Sequence, residues 1–509
     1  MTATYRSYNP DHPVLFPAHM ADCLPEGHLV FFIRDLVSKL DLSRIHAAYK
    51  DRRGGQPPYH PAMMMGLLLY GYCTGVTSSR KLEKATWESV PFRVLANDQH
   101  PDHDTIAEFR SRHLPVLADL FTQSLILCQK AGLVKLGHVA LDGTKVEASA
   151  SKHKAMSYGR MEKKAEELKA EISELLKKAA SDDAAEDALH GKGVRGDELP
   201  KELARRESRV AKIEAAMRDL EAEAADREAA AKAEKAAKKI ETVEKAAAAG
   251  SESGDGGPGF PPPDTAMPEA ADGGSGGVEV VVVPPRPEDK AQRNFTDPDA
   301  RIMQDGATKE FLYACNAQAA VDSHAQVIVA TGLTQAANDY GQAVPMLSAA
   351  IANAGDASIG KVSMDAGYSS DANIEALEGM GLDVYASPGQ VRKTAAKTAP
   401  DAGSPVSIGT EMKPRERMRA KLASEAGKAV YRMRKAIVEP VFGQIKGALG
   451  FRRFSFRGFG KVSCEWSLVC AVHNLLKLFR NGMTKGNCPP AAAKGVAGRP
   501  MPAFLADCA

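Results

Sequence analysis

Three acidic residues in three different settings are the first candidates for chemistry. Asp142 lies in HVALDGTKVEAS, Asp365 in KVSMDAGYSS and Glu439 in YRMRKAIVEPVFGQIK. Each aspartate ends a short apolar, β-prone run and is followed by Gly or Ala-Gly, whereas the glutamate sits in a basic, helix-prone stretch. Converging carboxylates raise one another's pKa and are costly to hold together without a cation. They suit a hard divalent ion, which takes oxygen ligands and keeps several waters. Such a set fits two-metal phosphodiester chemistry, in which ions about 3.5–4 Å apart serve the attacking and leaving oxygens.

Taken singly, each acid has a plainer reading. Asp-Gly is a common tight-turn dipeptide, so Asp142-Gly143 reads as a turn on local evidence. Asp365-Ala366-Gly367 would merely end a strand, and Glu439 would be an exposed helix residue. The order strand, strand, helix is what links the three. Glu439 and Lys446 are seven residues apart, hence on one helix face and about 10 Å apart. A phosphate-holding lysine beside a metal-holding glutamate is one reading, and a solvated lysine is the other. Pro440 is expected to start or kink that helix.

The charge is unevenly spread. The whole chain carries +2, but residues 411–480 hold 16 Lys/Arg against 5 Glu, or +11, leaving −9 for the other 439. A polyanion-facing surface is the expectation there. Phe451 to Lys461 interleaves aromatics with Arg452, Arg453, Arg457 and Lys461. These cations are candidate DNA contacts. Most of the phenylalanines are assigned to the core, although aromatics also stack on exposed bases. Trp466 through Leu476 reads as core of a closing helix, with His473 and Asn474 structural.

At 509 residues, two to four domains are expected. The eight cysteines form no CxxC pair, which points away from a zinc module or a disulfide framework. Tyr5, Arg6, Asp11 and His12 break any apolar core at the start, so no secretory signal is expected. The apolar run from Ala62 to Cys73 is shorter than the ~20 residues a membrane span needs. A cytoplasmic protein is the reading.

Residues 1–135 read as an all-α N-terminal domain for DNA binding or dimerisation. Helices are expected over Leu29–Leu40, from His60-Pro61 onward, over Ser79–Trp87, and from the capping box at Thr105 to a stop at Gly132. Ser78 to Lys81 either opens a recognition helix or caps a packing helix. An α/β domain is assigned to 136–156 and 290–480. It has strands at Val139–Leu141, Phe311–Val321, Gln326–Leu333, Lys361–Met364 and Leu382–Tyr385, interrupted by helices at Tyr340–Ala354 and Asn373–Met380. Residues 388–427 read as a polar loop and 428–480 as helical. Between the two α/β pieces, Met161, Ala165, Leu168, Ile172 and Leu175 share a 4,3 spacing, which Leu203, Val210, Ile213, Met217 and Leu220 continue. That predicts an inserted helical coiled-coil hairpin over 157–249. Residues 250–289 read as disordered linker with a stray strand at Val278–Val283, and 481–509 as a flexible tail.

These motifs together resemble bacterial insertion-sequence transposases of the DDE type. In that family the first Asp precedes Gly, as in Asp142-Gly143, and the second sits in D-x-G-[FY], as in Asp365 to Tyr368. The third lies in Y-x2-R-x3-E-x6-K. Glu439 and Lys446 fit that spacing, and Tyr431 and Arg434 fit its first half. Four residues rather than three separate Arg434 from Glu439, and Lys435 stands where the pattern has Arg. The likeness covers most of residues 55–480, with H-P and T-I-x-x-F-R elements in the N-terminal helices.

The resemblance implies an RNase H-like α/β catalytic domain in which Asp142, Asp365 and Glu439 hold two Mg²⁺, with Mn²⁺ as a substitute. Lys446, Tyr431, Arg434, Arg452, Arg453, Arg457 and Lys461 would meet DNA. Implied partners are double-stranded DNA, both element ends and target, and a second copy of the chain in a synaptic dimer at the bacterial nucleoid. The alternatives are an RNase H-like nuclease without strand transfer and a catalytically silent DNA-binding protein.

Overall fold

The computed structural model describes residues 19–49, 57–190, 200–249, 286–306, 308–355, 357–387 and 412–484. They form an N-terminal helical region followed by a mixed α/β region, with two compact units, one of residues 1–150 with 299–509 and one of 151–298. The stray strand at 278–283, most of the 388–427 loop and the tail beyond 484 lie outside the described residues.

Among the described residues, the first unit begins with a short 3₁₀ turn (Met20–Cys23) and seven α-helices: α1 (Leu29–Val37), α2 (Ser43–Ala47), α3 (Pro61–Cys73), α4 (Ser79–Glu88), α5 (Val90–Ala96), α6 (His103–Arg112) and α7 (Leu114–Lys130). His60 caps α3, its Nδ1 accepting from the Ala62 amide 3.2 Å away, and Pro61 occupies the favoured first turn. The single helix expected from Thr105 to Gly132 is two helices. Asp102, not a threonine, caps α6 at the Thr105 amide, and Pro115 in the first turn of α7 explains the break at His113. Gly132 ends α7 as expected, at φ 69°. Its amide bonds Gln129 O and the Leu133 amide bonds Cys128 O, the paired bonds of a Schellman stop.

Next comes the sheet. β1 (His138–Glu147) pairs with antiparallel β5 (Phe311–Asp322) on one side and parallel β7 (Lys361–Met364) on the other. β7 continues to parallel β8 (Asp383–Ala386). The far side of β5 carries antiparallel β4 (Arg301–Gln304) and β6 (Ile328–Thr334). Helix α10 (Ala343–Ala354) leads into β7, and α11 (Asp371–Gly379) into β8. The Asp-Gly turn expected at 142–143 does not exist: β1 runs straight through it, with Asp142 opposite Ala319 and Gly143 opposite Gln318.

The end of the chain is less uniformly helical than its composition suggested. α12 (Pro414–Ala423) stands where a loop was expected. α13 (Glu425–Gly443) contains Pro440 in its interior rather than starting there, and passes into a π-helical turn over Gln444–Ala448. Proline removes one backbone donor and frees the carbonyl four residues back. That carbonyl, Ala436 O, accepts instead from Gln326 Nε2 at 3.0 Å. Residues 449–458 then leave the helix, and α14 (Phe459–Thr484) packs against α7 and β6. One continuous core serves both the N-terminal helices and the sheet, running from Ile33 and Leu68 to Val139, Val362 and Trp466.

In the second unit, β2 (Ala155–Ser157) pairs with antiparallel β3 (Gln292–Asn294). α8 (Tyr158–His190) packs along α9 (Pro200–Ala249) through Met161, Ala165, Leu168, Val210, Ile213 and Leu220, residues of the anticipated apolar seam. Ion pairs Lys169–Glu214 at 2.7 Å and Arg206–Glu171 at 3.1 Å run the helices antiparallel.

Candidate active site

The register of the central strands brings two of the three acids together. Leu141 pairs with Met364 in the parallel β1–β7 ladder, so the next residues on each strand are Asp142 and Asp365. Parallel partners project to the same face, here toward α13. Each carboxylate accepts the amide that follows it, Gly143 N at 2.9 Å and Ala366 N at 2.8 Å. β7 stops one residue before Asp365, leaving that side chain half exposed, whereas Asp142 is 21% exposed.

Arg434 on α13 closes the pair. Its Nη1 lies 2.9 Å from Asp142 Oδ2 and its Nη2 3.7 Å from Asp365 Oδ1. Expected as a DNA contact, Arg434 is instead buried at 7% exposure and turned inward, with Tyr431 beneath its guanidinium at 5.8 Å. Burial raises the Asp142 pKa to about 6, the Arg434 charge opposing the shift and Asp365 and Asp339 adding to it. The arginine therefore offsets only part of the desolvation, and the pair still calls for positive charge.

Glu439 stands apart from this pair. It is exposed, five residues beyond Arg434 and so about 7.5 Å along the helix and ~140° around it. Among the described residues, no group of three or more His, Cys, Asp or Glu is placed to hold a metal. Two carboxylates on adjoining strands, one of them solvent-facing, still form a hard oxygen donor set that fits a divalent cation retaining waters.

The candidate cations lie along one path. Lys446 is half-buried in the π-helical turn and donates to Lys145 O on β1 at 2.6 Å. Arg452 Nε donates to Lys446 O, and Arg457 Nε to Ser149 O. Arg453 bridges the end of β1 at Glu147 by its backbone, its guanidinium 3.9 Å from that carboxylate. Lys461 reaches Ser111 Oγ at 3.5 Å. Arg452, Arg453, Arg457 and Lys461 are exposed, whereas Phe451 and Phe454 are buried, so the aromatics pack and the cations face out. His473 and Asn474 are fully buried and tie α14 to Gln326 and to both backbone groups of Ile328.

Asp339 and Gln318, to which the sequence motifs did not point, complete the site together with Tyr368 of the D-x-G-[FY] motif. Asp339, between β6 and α10, accepts Asn316 Nδ2 at 2.6 Å and Gln318 Nε2 at 2.8 Å. Tyr368 is fully buried and donates its hydroxyl to Gln318 Oε1. The signal for Gln318 was visible as a polar residue in the apolar run of β5. Nothing about Asp339 separates it from an ordinary loop aspartate.

A transposase domain (DUF772) matches residues 19–112, and a transposase DDE domain matches residues 392–479. The chain resembles an insertion-sequence DDE transposase. The second match includes Arg434, Glu439 and Lys446, while Asp142 and Asp365 fall outside both and stand on the geometry above. Neither the curated proteins nor the solved structures contain a match to this chain. No helix among the described residues is long and apolar enough to cross a membrane.

Proposed function

We propose that this DDE transposase-like chain binds the terminal inverted repeats of an insertion sequence, hydrolyses the phosphodiester at each end and joins the freed 3′ hydroxyls to target DNA. One observation carries the reading: Asp142, within β1, and Asp365, just past the end of β7, converge where the parallel β1–β7 ladder stops, in a chain with transposase matches in its N-terminal and C-terminal parts. An RNase H-like catalytic core is supported by the sheet, in which β1, β5 and β6 pair antiparallel while β7 and β8 run parallel to β1 on its other side.

Asp142 and Asp365 would hold Mg²⁺ or Mn²⁺, and Glu439, which stands apart from them on α13, would have to turn toward the ion to serve as the third ligand that the resemblance implies. Bound divalent ions would supply activation of the attacking oxygen and charge neutralisation at the leaving oxygen. The chain's own residues do the rest. Arg434 orients both carboxylates and screens their mutual repulsion. Arg452, Arg453, Arg457 and Lys461 offer an exposed cationic edge for the phosphate backbone, and Lys446 braces β1 next to it. The helices of residues 1–135 would read the repeat, and a second copy of the chain would hold the other end. The α8–α9 pair would act as a coiled-coil spacer or arm. The setting would be the cytoplasm of a bacterium, at the nucleoid.

The test uses labelled duplexes carrying the element's own ends. Asp142→Asn, Asp365→Asn and Glu439→Gln should each lower Mg²⁺-dependent cleavage by about 100-fold or more while leaving DNA binding intact. Full cleavage by any one of them removes that residue from the assignment. A joining assay with a pre-cut end separates transposition from simple nuclease action.

A further inference from the structure

We propose that Asp339 is a positioning residue for the paired aspartates, locking the Asp142-Gly143 and Asp365-Ala366-Gly367 segments into one rigid unit. The inference rests on the catalytic reading of that pair, but its structural half can be measured without it.

Asp339 is where the surroundings of both motifs meet. A Cβ built on Gly143 would clash with Gln318 Nε2 and lie 2.8 Å from Asp339 Oδ1 and 3.0 Å from Asn316 Oδ1. A Cβ on Gly367 would lie 3.3 Å from Asp339 Oδ2. One carboxylate thus presses an oxygen toward each of the two glycines that follow the catalytic candidates. Gly143 lies within a strand rather than a turn, so the need for glycine there comes from this close approach.

The polar groups around Asp339 have little freedom. Tyr368 donates to Gln318 Oε1, which leaves Gln318 Nε2 to find an acceptor, and Asp339 supplies it. Asn316 sits two residues away on the same face of β5 and donates to the same oxygen. Both amides are fully buried, where an unmet donor is expensive. Asn316 Oδ1 has no partner among the described residues and faces the Gly143 backbone. Lys145 Nζ lies 4.0 Å from Asp339 and is the cation facing it. Tyr368 follows Gly367 directly, so the Tyr368–Gln318–Asp339 chain ties the β7 motif to the strand that flanks the β1 motif. A shift of Asp339 would move both aspartate backbones together.

The test compares Asp339→Asn and Asp339→Ala with the parent in two measurements. Amide hydrogen exchange, without DNA or metal, should rise about tenfold at Gly143 and across Ala366–Tyr368 in Asp339→Ala while α3 and α7 stay unchanged. Single-turnover end cleavage by Asp339→Asn should fall about tenfold or more with the DNA dissociation constant unchanged, as expected for misplaced catalytic groups. If the alanine variant does not fold, the same exchange pattern in Asp339→Asn decides. Unchanged exchange at either segment, or wild-type cleavage by Asp339→Asn, overturns the proposal. If the parent protein itself cleaves nothing, the catalytic reading fails and the exchange result alone judges the role of Asp339.

Discussion

Arg434 reaches across 292 positions of sequence to place Nη1 2.9 Å from Asp142 Oδ2, an ion pair that joins α13 to the middle strand of the sheet. Both side chains are largely shielded from water, at 9% and 21% exposure. Removing one partner of a shielded pair strands the other's charge, at a cost of about 3 kcal/mol. Arg434→Met should therefore lower the melting temperature markedly in metal-free buffer. Adding Mn²⁺ should return part of the loss, because a cation bound to Asp142 and Asp365 replaces the missing charge. Melting curves with and without Mn²⁺ check both halves, and a variant indifferent to Mn²⁺ would argue against metal at this pair.

Two glycine substitutions should act in opposite directions. Gly143→Ala pushes a methyl group against Gln318 and Asp339, an overpacking that costs about 1–3 kcal/mol. Gly443, exposed near the end of α13, has nothing within 4 Å of a built Cβ and no positive φ. Gly443→Ala should stabilise the helix by about 0.5–1 kcal/mol. Denaturant midpoints of the two variants measure the contrast.

His473 should set an acid limit on stability. Burial lowers its pKa to about 4, with Lys477 and Arg480 adding to the shift and the Gln326 carbonyl opposing it. A histidine depressed below its unfolded value of about 6.5 stabilises the fold above that value and loses the contribution as pH falls toward 4. The loss amounts to about 3 kcal/mol when complete. Thermal melts from pH 7 to 4 should show that slope. His473→Asn should start from a lower plateau and flatten it.

Glu465 should act in the other direction. It is fully buried and accepts from Tyr72, Ser455 N and Phe456 N, and burial raises its pKa despite the two amides and Arg110. A raised carboxyl pKa contributes stability that is complete below the unfolded value, about 4.3, and lost as pH rises through the folded one. Glu465→Gln should remove that dependence. Comparing its melting temperatures with the parent's at pH 5 and pH 8 reads the difference.

If the exposed cations meet DNA, their effect should be on salt dependence rather than sequence preference. Arg453→Ala should weaken binding to specific and random duplexes alike and reduce the salt slope by about one. Titrations at several salt concentrations check this.

Much of this was legible in the sequence because it depended on local patterns. The apolar runs before Asp142 and Asp365 are strands, Gly132 stops α7, and the 4,3 seam of Met161 to Leu220 packs as spaced. What could not be read locally depended on neighbours distant in sequence. Gly143 looks like a turn residue until Gln318 and Asp339 are seen to need its missing side chain. Pro440 looks like a helix start until Gln326 is found answering the carbonyl it frees. Arg434 looks like a phosphate contact because basic composition cannot reveal which face of α13 turns inward. The proximity of Asp142 and Asp365 follows from a ladder register that neither strand specifies alone.

The pairing around Ala314 has a consequence for how the chain is assembled. Glu147, the last residue of β1, and Arg301, the first of β4, both pair with Ala314, one on each side of β5. The segment between them leaves and returns only two strand spacings apart, about 10 Å. Yet β1 leaves the ribosome some 150 residues before the strand that completes it. Bridging that span rather than a five-residue turn adds about 3 kcal/mol of closure entropy. Pairing of β2 with β3 brings these ends together, so the central ladder is expected to follow that closure, and trimming the excursion to a short turn should let the ladder form sooner.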